Sequence, residues 1–280
     1  MCMDLPRYDL HCHSTASDGS LSPADLLNRA RSRGIEVLSL TDHDTLEGVR
    51  ELMRQDLEGI QLVPGTELTC LWQGRVIHLV GLGLDPENND LQAYLNNLAL
   101  LRRQRSEKIA RQLEKMGVPP VYAEAQALAG KGSIGRPHFA RALVEKGFVV
   151  NEQQAFKKYL GAGKKGDVKM PWPDLADAVS VLKAAGGVSI IAHPTKYKMT
   201  FTKIRSLVAD FIAAGGDGIE VSYPGVTPDH QLHLNRIAES NNLLVSAGSD
   251  FHTPDAGWTD LGKYPPLKTT KNHVLRLLIN

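Results

Sequence analysis

The sequence predicts an α/β fold in which parallel β-strands alternate with helices. Two observations support this fold class. Seven short apolar segments are rich in β-branched residues, and most of them are followed by a segment with helical periodicity. The predicted strands are residues 8–11, 35–40, 61–64, 76–82, 188–192, 218–221 and 243–247. An open sheet and a closed barrel are both compatible with this pattern.

The helices of this alternating region have identifiable ends. The first begins after Ser22, a favoured capping residue, has Pro23 in its first turn and covers residues 23–33. Apolar residues at helical spacing predict further helices over residues 46–57, 175–185, 203–214 and 228–241. Such helices supply the crossover connections that parallel strands require.

Residues 89–170 interrupt the alternation. A long helix over residues 91–116 ends at Gly117, and shorter helices follow over residues 122–129, 137–146 and 152–160 without an intervening strand pattern. We therefore predict an all-helical insert domain, residues 89–170, that covers the active site of an α/β domain formed by residues 1–88 and 171–280.

The charge of the chain is unevenly distributed. The net charge is only +1, but residues 100–170 contain fifteen Lys and Arg against six Asp and Glu, a balance of +9. The remaining residues therefore carry −8. A basic insert on an acidic domain suggests a polyanionic partner, although a solvated helix face is an equally good explanation of the charge alone.

The composition excludes several protein classes. Hydrophobic residues make up 42% and charged residues 22%, which is typical of globular domains rather than disordered or membrane-spanning chains. The sequence starts without an apolar signal segment, and its three cysteines are too scattered for a disulfide framework. We expect a cytoplasmic protein with no membrane partner and no obligate protein partner.

Nine potential metal ligands fall on or directly after predicted strands. They are His11, His13, Asp18, His43, Glu67, His78, His193, Asp250 and His252. The carboxyl ends of parallel strands meet at one edge, so residues distant in sequence converge there. A single histidine beside an apolar segment is usually a core residue, but six with three carboxylates at equivalent positions predict a site for divalent cations.

Several short motifs, in their order along the chain, resemble those of the polymerase and histidinol phosphatase (PHP) domain superfamily. They are His11-Cys12-His13-Ser14, Thr41-Asp42-His43, Gly65-Thr66-Glu67, His78, Ala192-His193-Pro194 and Gly248-Ser249-Asp250-Phe251-His252. The resemblance implies a distorted seven-stranded β/α barrel, similar to a TIM barrel, that holds three divalent metal ions. Manganese is the expected metal, with zinc and iron as alternatives.

The resemblance also implies how the ligands divide among the ions. One ion takes His11, His13, Glu67 and Asp250; a second takes Glu67, His78 and His193; the third takes Asp18, His43 and His252. Some relatives have histidine at the position of Asp18, and the carboxylate here favours manganese or iron over zinc. Ions bridged by a carboxylate activate water and neutralise phosphoryl charge, which is the chemistry of phosphoester hydrolysis.

Two aspartates flank the ligand His43 in the sequence. We predict that Asp42 orients a metal-binding imidazole. Asp44 has two interpretations that remain open: a general acid for the leaving group, or the cap of the helix that begins near Leu46.

The insert carries the motif Gly135-Arg136-Pro137-His138, which is similar to that of the bacterial 3',5'-nucleoside bisphosphate phosphatases of this superfamily. Arg136 is therefore predicted to bind a substrate phosphate and His138 a phosphate or ribose oxygen, with the first turn of a helix as the alternative. Arg103 and Lys164 are further predicted substrate contacts, and solvated surface is the alternative for both.

The leading functional hypothesis is a phosphatase that removes the 3'-phosphate of a nucleoside 3',5'-bisphosphate, so the expected partner is a nucleotide with two phosphates. One alternative is a 5'-to-3' exoribonuclease on short RNA, with the basic helix face between Arg102 and Arg111 following the backbone. Histidinol phosphatase activity is a second alternative. The third, a non-catalytic regulatory module, predicts degraded ligand motifs, whereas all nine positions hold competent ligands.

Overall fold

The computed structural model describes residues 5–130, 132–267 and 271–279. The strands are β1 (Tyr8–Asp9), β2 (Val37–Leu38), β3 (Gln61–Leu62), β4 (Gly65–Trp72), β5 (Arg75–Leu82), β6 (Val188–Ile191), β7 (Gly218–Ser222) and β8 (Leu244–Ala247). The helices are α1 (Pro23–Ser32), α2 (Glu47–Leu52), α3 (Asn89–Glu114), α4 (Tyr122–Ala129), α5 (Arg136–Glu145), α6 (Glu152–Ala155), α7 (Leu175–Ala184), α8 (Phe201–Ala213), α9 (Pro228–Ser240) and α10 (Leu275–Leu278). A π-helical turn (Phe156–Leu160) follows α6, and a 3₁₀ turn (Pro194–Tyr197) follows β6.

The described strands form two sheets. β1, β2 and β3 pair in parallel, and β4 to β8 form a second sheet in sequential order. In the second sheet β5 is antiparallel to both neighbours, whereas β6, β7 and β8 are parallel. Single bridges, Cys12 to Phe251 and His43 to Glu67, connect the two sheets. The α/β class is therefore confirmed, whereas the distorted seven-stranded barrel is not, because the described residues form eight strands in two sheets without continuous closure.

The strand that the sequence analysis missed is β4. Pro64 cannot donate a backbone hydrogen bond, so pairing stops there and resumes at Gly65 in a different sheet. β4 then runs antiparallel to β5 over eight residue pairs. The turn between them contains Gln73 and Gly74, which have φ values of 48° and 74°, the backbone geometry of a tight hairpin.

Helix α3 belongs to two hydrophobic cores. Leu91, Leu95 and Leu98 in its first half are buried in the main core of the α/β region. Ile109 and Leu113 in its second half lie in a separate core with side chains of α4, α5 and the π-helical turn. Between β5 and β6 the described residues form helices and turns without a strand. α3 thus carries the helical region from the sheet to a position over the strand ends.

The remaining elements largely follow the sequence pattern. The Ser22 hydroxyl accepts a hydrogen bond from the Asp25 amide (3.1 Å) and caps α1 as predicted. Helix α2 is six residues long, half the predicted length, and Leu46 at its start provides no side-chain cap. Among the described residues no helix combines the length and apolar character needed to cross a membrane.

Candidate metal centre and substrate cleft

The nine predicted ligands come together at one edge of the two sheets. His11, His13 and Asp18 follow β1, and His43 follows β2. Glu67 and His78 lie within β4 and β5, His193 follows β6, and Asp250 and His252 follow β8. The bridge between His43 and Glu67 and the bridge between Cys12 and Phe251 hold the loops in register. Six separate chain segments therefore contribute to one cluster, which we call the metal-site cluster.

The Glu67 carboxylate lies at the centre of this cluster and faces five imidazoles. Its Oε1 atom is 2.9 Å from both His78 Nδ1 and His193 Nε2. Its Oε2 atom is 3.2 Å from His11 Nε2, 3.3 Å from His13 Nε2 and 3.1 Å from His43 Nδ1. One carboxylate with imidazoles on both oxygens has the arrangement of a bridging metal ligand.

Two further carboxylates complete the metal-site cluster. Asp250 Oδ1 lies 3.3 Å from His13 Nε2 and 3.6 Å from His11 Nε2. Asp18 lies 3.3 Å from His252 Nε2 through Oδ1 and 4.0 Å from His43 Nε2 through Oδ2. The ligand atoms form four overlapping groups, each compact enough to hold one ion: His11–His13–Asp250, His11–Glu67–His193, His43–Glu67–His78 and His13–Asp18–His43–His252.

The donor atoms of the cluster fit divalent cations. His11 Nε2, both ring nitrogens of His13, His43 Nδ1 and Glu67 Oε2 are buried and have no hydrogen-bond partner among the described residues. Burying such atoms without a partner is costly, so their convergence indicates that a cation satisfies them. Imidazole nitrogen and carboxylate oxygen, without thiolate, suit zinc, manganese and iron.

The electrostatics of the cluster keep its carboxylates ionised. Burial opposes ionisation of Glu67, but His43 and His11 outweigh it and hold the pKa of this carboxyl well below its usual range. Burial also opposes ionisation of Asp250, and His11 and Lys196 again lower its pKa well below the ordinary value. These residues therefore present anionic oxygens, the form that binds cations.

The carboxylates that surround His13 also favour the protonated form of its imidazole ring. Burial alone lowers its pKa, but the carboxylates of Asp250 and Glu67, each 3.3 Å from Nε2, more than compensate and raise the pKa to about 10. A metal ion bound to His13 would displace this proton.

Two functional residues were missed by the sequence analysis. Glu220, in β7, accepts from His11 Nδ1 (2.8 Å) and from the His193 amide (2.6 Å), which fixes the ring of one ligand and the backbone of another. Lys196, in the 3₁₀ turn, forms an ion pair with Asp250. Glu220 could have been noticed because it is a charged residue inside a strand whose five residues are all buried.

The Asp42 carboxylate makes contacts that differ from the prediction. Its described hydrogen bonds come from the Ser14 amide (2.8 Å), the Ser14 hydroxyl (2.6 Å) and the Ser17 hydroxyl (2.6 Å), and not from an imidazole. These serines lie in the loop between His13 and Asp18. Asp42 therefore shapes the loop that carries two ligands instead of orienting a ring directly.

The structure assigns Asp44 to neither predicted role. Its Oδ2 accepts from Arg102 Nε (2.6 Å) and its Oδ1 from the Thr69 amide (2.6 Å), while Arg102 Nη2 also donates to Thr69 Oγ1 (3.0 Å). Both oxygens of the buried Asp44 carboxylate therefore already have partners in the protein. The cap position of α2 belongs to Leu46. Asp44 instead connects the strand ends to α3 of the insert.

A cleft of about 630 Å³ lies between the metal-site cluster and the insert. Asp18, His43 and His78 line it on the side of the cluster. Its cationic lining residues are Arg75, Arg102, Arg105, Arg136 and Lys169, against the carboxylates Asp18 and Asp167. We call this space the basic cleft. Its charge and its position beside the cluster suit an anionic substrate.

Three arginines of the basic cleft are fixed by protein acceptors and keep spare donors. Arg102 binds Asp44, Arg105 Nε donates to the Val168 carbonyl (3.0 Å), and Arg136 Nη1 donates to Asp167 Oδ1 (3.1 Å). Burial and the neighbouring arginines Arg136 and Arg102 lower the pKa of Arg105 to about 10, which still leaves it charged at neutral pH. Guanidinium groups held in this way are oriented for phosphate before substrate arrives.

The other predicted substrate contacts lie elsewhere. His138 is buried, and its Nδ1 accepts from the Gly135 amide (2.9 Å) at the start of α5; burial lowers its pKa to about 4, so the ring is neutral. The side chain of Arg103 is 76% exposed and faces Glu107 (3.6 Å), and Lys164 is exposed. His138, Arg103 and Lys164 are not among the residues that line the basic cleft.

The chain is similar to known proteins over nearly its whole length. The sequence model of the PHP domain matches residues 9–127. A 5'-3' exoribonuclease of Haemophilus influenzae is 48% identical over 258 residues, which cover 92% of this chain and 93% of that protein. A 3',5'-nucleoside bisphosphate phosphatase of Chromobacterium violaceum is 39% identical over 260 residues, covering 92% and 91%. One solved structure is described as an amidohydrolase from Chromobacterium violaceum with bound sulfate and no metal. It superposes with a TM-score of 0.91 at 37% sequence identity, and the match covers 97% of this chain and 95% of that chain.

Proposed function

The chain belongs to the PHP domain family, and on this premise we propose that it removes the 3'-phosphate of nucleoside 3',5'-bisphosphates. The observation that carries the proposal is that one cleft joins two kinds of group. Asp18 and His43 of the metal-site cluster line the same 630 Å³ space as Arg102 and Arg136 of the insert. A nucleotide with two phosphates matches this pairing, with the 3'-phosphate at the cluster and the 5'-phosphate on the arginines.

We propose that the metal-site cluster holds three divalent ions, with manganese favoured where Asp18 is a ligand and zinc or iron as alternatives. When bound, these ions supply an activated water and neutralise charge that develops on the phosphoryl oxygens. The proposed ligands are His11, His13, Asp18, His43, Glu67, His78, His193, Asp250 and His252. Residues 1–88 and 171–280 would form the catalytic domain, and residues 89–170 the domain that covers it.

Glu220 and Arg136 have separate proposed roles, one in holding a metal ligand and the other in binding substrate. Glu220 fixes the His11 ring through a 2.8 Å hydrogen bond, so its Nε2 faces the cluster. Arg136 uses Nη1 to bind Asp167 and Leu160, which leaves Nε and Nη2 without a described protein partner. A 5'-phosphate there would place the 3'-oxygen toward the cluster. Attack of water on phosphorus then breaks the bond to that oxygen and gives phosphate and a nucleoside 5'-monophosphate.

Phosphate release from adenosine 3',5'-bisphosphate with added manganese tests the proposal. Turnover should exceed that on histidinol phosphate and on a simple aryl phosphate, because neither has a second phosphate for the arginines. Equal or faster turnover on those two compounds would overturn the substrate assignment. Loss of all activity on treatment with a chelator, restored by manganese, is expected for the metal site.

A second candidate function is 5'-to-3' exoribonuclease activity on short RNA. The bond broken is the same, but the 3'-phosphate of the first nucleotide carries the rest of the chain. The cationic content of the basic cleft favours this candidate, because five cationic side chains exceed what two phosphates require. Cleavage of 5'-phosphorylated oligoribonucleotides with steep salt dependence would support it.

A further inference from the structure

The cationic side chains of the basic cleft fall into two sets. Arg102, Arg105 and Arg136 each donate to a protein acceptor. Arg75 and Lys169 also line the cleft, but the side chain of neither makes a hydrogen bond or an ion pair with any residue that the structure describes. Both are exposed. The first set is held in fixed geometry, whereas the second consists of free cations at the solvent side of the cleft.

Arg75 occupies a rigid part of the α/β region. It is the first residue of β5, opposite Trp72 of β4, at the tip of the hairpin. The Trp72 indole donates to Asp210 of α8 (2.7 Å), and Lys203 of α8 donates to Gln73 (2.5 Å). The hairpin tip is therefore attached to α8 on one side while Arg75 lines the cleft on the other.

The spacing between Arg75 and the metal-site cluster suits an extended chain. His78 of the cluster lies three residues further along β5, which corresponds to about 10 Å of strand. A phosphate at Arg75 would thus lie beyond the phosphate that is cleaved at the cluster. Lys169 lies in the segment between the insert and α7 and lines the same cleft as Arg75.

The other large cavity offers no comparable path. It has a volume of about 750 Å³ and is lined by Asp44, Glu47 and Glu51 against Arg50 and Arg54. Arg50 is already paired with Glu47 (2.7 Å). An anionic chain therefore leaves the cluster more favourably through the basic cleft than through this acidic cavity.

The outer face of α3 is also a poorer path than the sequence suggested. Arg103 and Arg111 both pair with Glu107, at 3.6 and 3.7 Å, and both are largely exposed. Arg102 and Arg105 of the same helix point into the basic cleft instead. The basic residues of α3 therefore do not form one continuous face for RNA.

We propose that Arg75 and Lys169 bind the phosphodiester backbone of single-stranded RNA on the 3' side of the cleaved bond. This inference rests on the proposed function, because the metal-site cluster must break the bond at the 3'-oxygen of the first nucleotide. It assigns oligoribonucleotides to the basic cleft and gives the β4–β5 hairpin the role of the exit surface. Phosphate contacts of this kind add affinity without reading sequence.

The experiment compares two substrates in the full-length, manganese-loaded enzyme. The substrates are adenosine 3',5'-bisphosphate and a 5'-phosphorylated tetraribonucleotide, and kcat/KM is measured for each across a range of salt concentrations. The variants are Arg75→Gln and Lys169→Gln. Matched controls are Arg103→Gln and Lys164→Gln, which remove the same charges from exposed positions outside the cleft. Circular dichroism and thermal melting verify that every variant is folded.

Each variant should lower the ratio of oligomer to mononucleotide kcat/KM by about fivefold, the effect of one exposed ion pair. The slope of log kcat/KM against log salt on the oligomer should fall by about 0.7 for each phosphate contact removed. The controls should change neither quantity. An unchanged ratio in both variants, or an equal change in the controls, would overturn the proposal.

Two further outcomes separate this inference from the proposed function. A wild-type enzyme that hydrolyses the bisphosphate but does not cleave the oligomer would overturn the role of Arg75 and Lys169 and leave the phosphatase intact. A wild-type enzyme that cleaves the oligomer but not the bisphosphate would overturn the phosphatase proposal, while the ratio of salt slopes in the variants would still test the exit surface.

Discussion

The metal-site cluster and the basic cleft are neighbours, but their side chains are held in opposite ways. In the cluster, Nε2 of His11 and both ring nitrogens of His13 are buried without a hydrogen-bond partner among the described residues, so the arrangement needs a cation to be complete. In the cleft, Arg102 and Arg136 are already bound to Asp44 and Asp167 and keep further donors for a ligand. The chemistry and the choice of substrate therefore depend on different parts of the chain and can be changed separately.

The largest effect is expected for Glu67→Gln. This change removes the negative charge that faces five imidazoles and so breaks the cluster while leaving the cleft intact. Because a metal ion contributes several kcal/mol to the transition state, phosphatase activity should fall by at least about a thousandfold. The measurement is phosphate release together with metal content by elemental analysis. Full activity with undiminished metal content would contradict the role of Glu67.

The second largest effect is expected for a change at Asp44, which tests how α3 of the insert is attached to the strand ends. Asp44→Asn leaves the Arg102 guanidinium, whose side chain is 11% exposed, without its anionic partner. Breaking a buried pair from one side costs about 3 kcal/mol in the free energy of unfolding. Urea titration measures it, and Asp44→Asn with Arg102→Met should lose less than the sum of the single changes.

The matched control for this pair is Asp229→Asn. The Asp229 carboxylate is 75% exposed and lies 3.6 Å from His233, so its removal should change the free energy of unfolding by less than about 0.5 kcal/mol. Additive effects of the Asp44 and Arg102 changes would show that the two residues do not act as a pair.

A third prediction asks whether His138 is structural, as its burial indicates. Burial lowers its pKa to about 4, below the unfolded value of about 6.5, so the folded protein excludes a proton that the unfolded chain binds. Stability from this residue is complete above pH 6.5 and is lost as the pH falls toward 4, by up to about 3 kcal/mol. His138→Asn keeps an acceptor for the Gly135 amide but removes this dependence.

The measurement is the free energy of unfolding in urea at pH 7 and pH 5. His273 in the α/β region also has a pKa lowered to about 4 by burial, so the variant should retain part of the wild-type acid sensitivity. If His138→Asn loses as much stability on acidification as the wild type, the buried imidazole is not the cause. A large rise in KM at pH 7 would instead indicate a direct contact with substrate.

The smallest of these effects is expected for Glu220→Gln. Glu220 supports the cluster through His11 and the His193 amide without facing the space between the ligands. Loss of such an outer contact typically costs 10- to 100-fold in metal affinity or activity. Titration with manganese while activity is followed separates weaker metal binding from slower chemistry. An effect as large as that of Glu67→Gln would show that Glu220 is itself a ligand.

The difference between the metal-site cluster and the basic cleft also explains which site residues could be predicted from the sequence. The cluster was predictable because each ligand lies in a short motif at a strand end, where parallel strands bring distant residues together. The arginines were not predictable, because Arg102, Arg103 and Arg105 lie within about one helical turn and only packing decides which of them faces the cleft. The contacts of Asp44 could not be predicted from the sequence either, because its partner Arg102 lies 58 residues away on α3.

Two further differences have local causes. The strand β4 was missed because Pro64 and the Gly65-Thr66-Glu67 motif together look like the end of a strand, whereas pairing resumes immediately in the second sheet. His138 was predicted to bind a phosphate or ribose oxygen because it follows Arg136 by two residues, but it is buried in the first turn of α5 and its ring caps the helix start.

The most direct test of the central claim compares adenosine 3',5'-bisphosphate with adenosine 3'-monophosphate in the wild type and in Arg136→Gln. If the cluster breaks the 3' bond and the basic cleft binds the 5'-phosphate, wild-type kcat/KM should favour the bisphosphate by more than about tenfold, the value of one charged hydrogen bond. Arg136→Gln should reduce that preference severalfold through KM, with the 3'-monophosphate almost unaffected. Equal kcat/KM on the two substrates in the wild type would contradict the account.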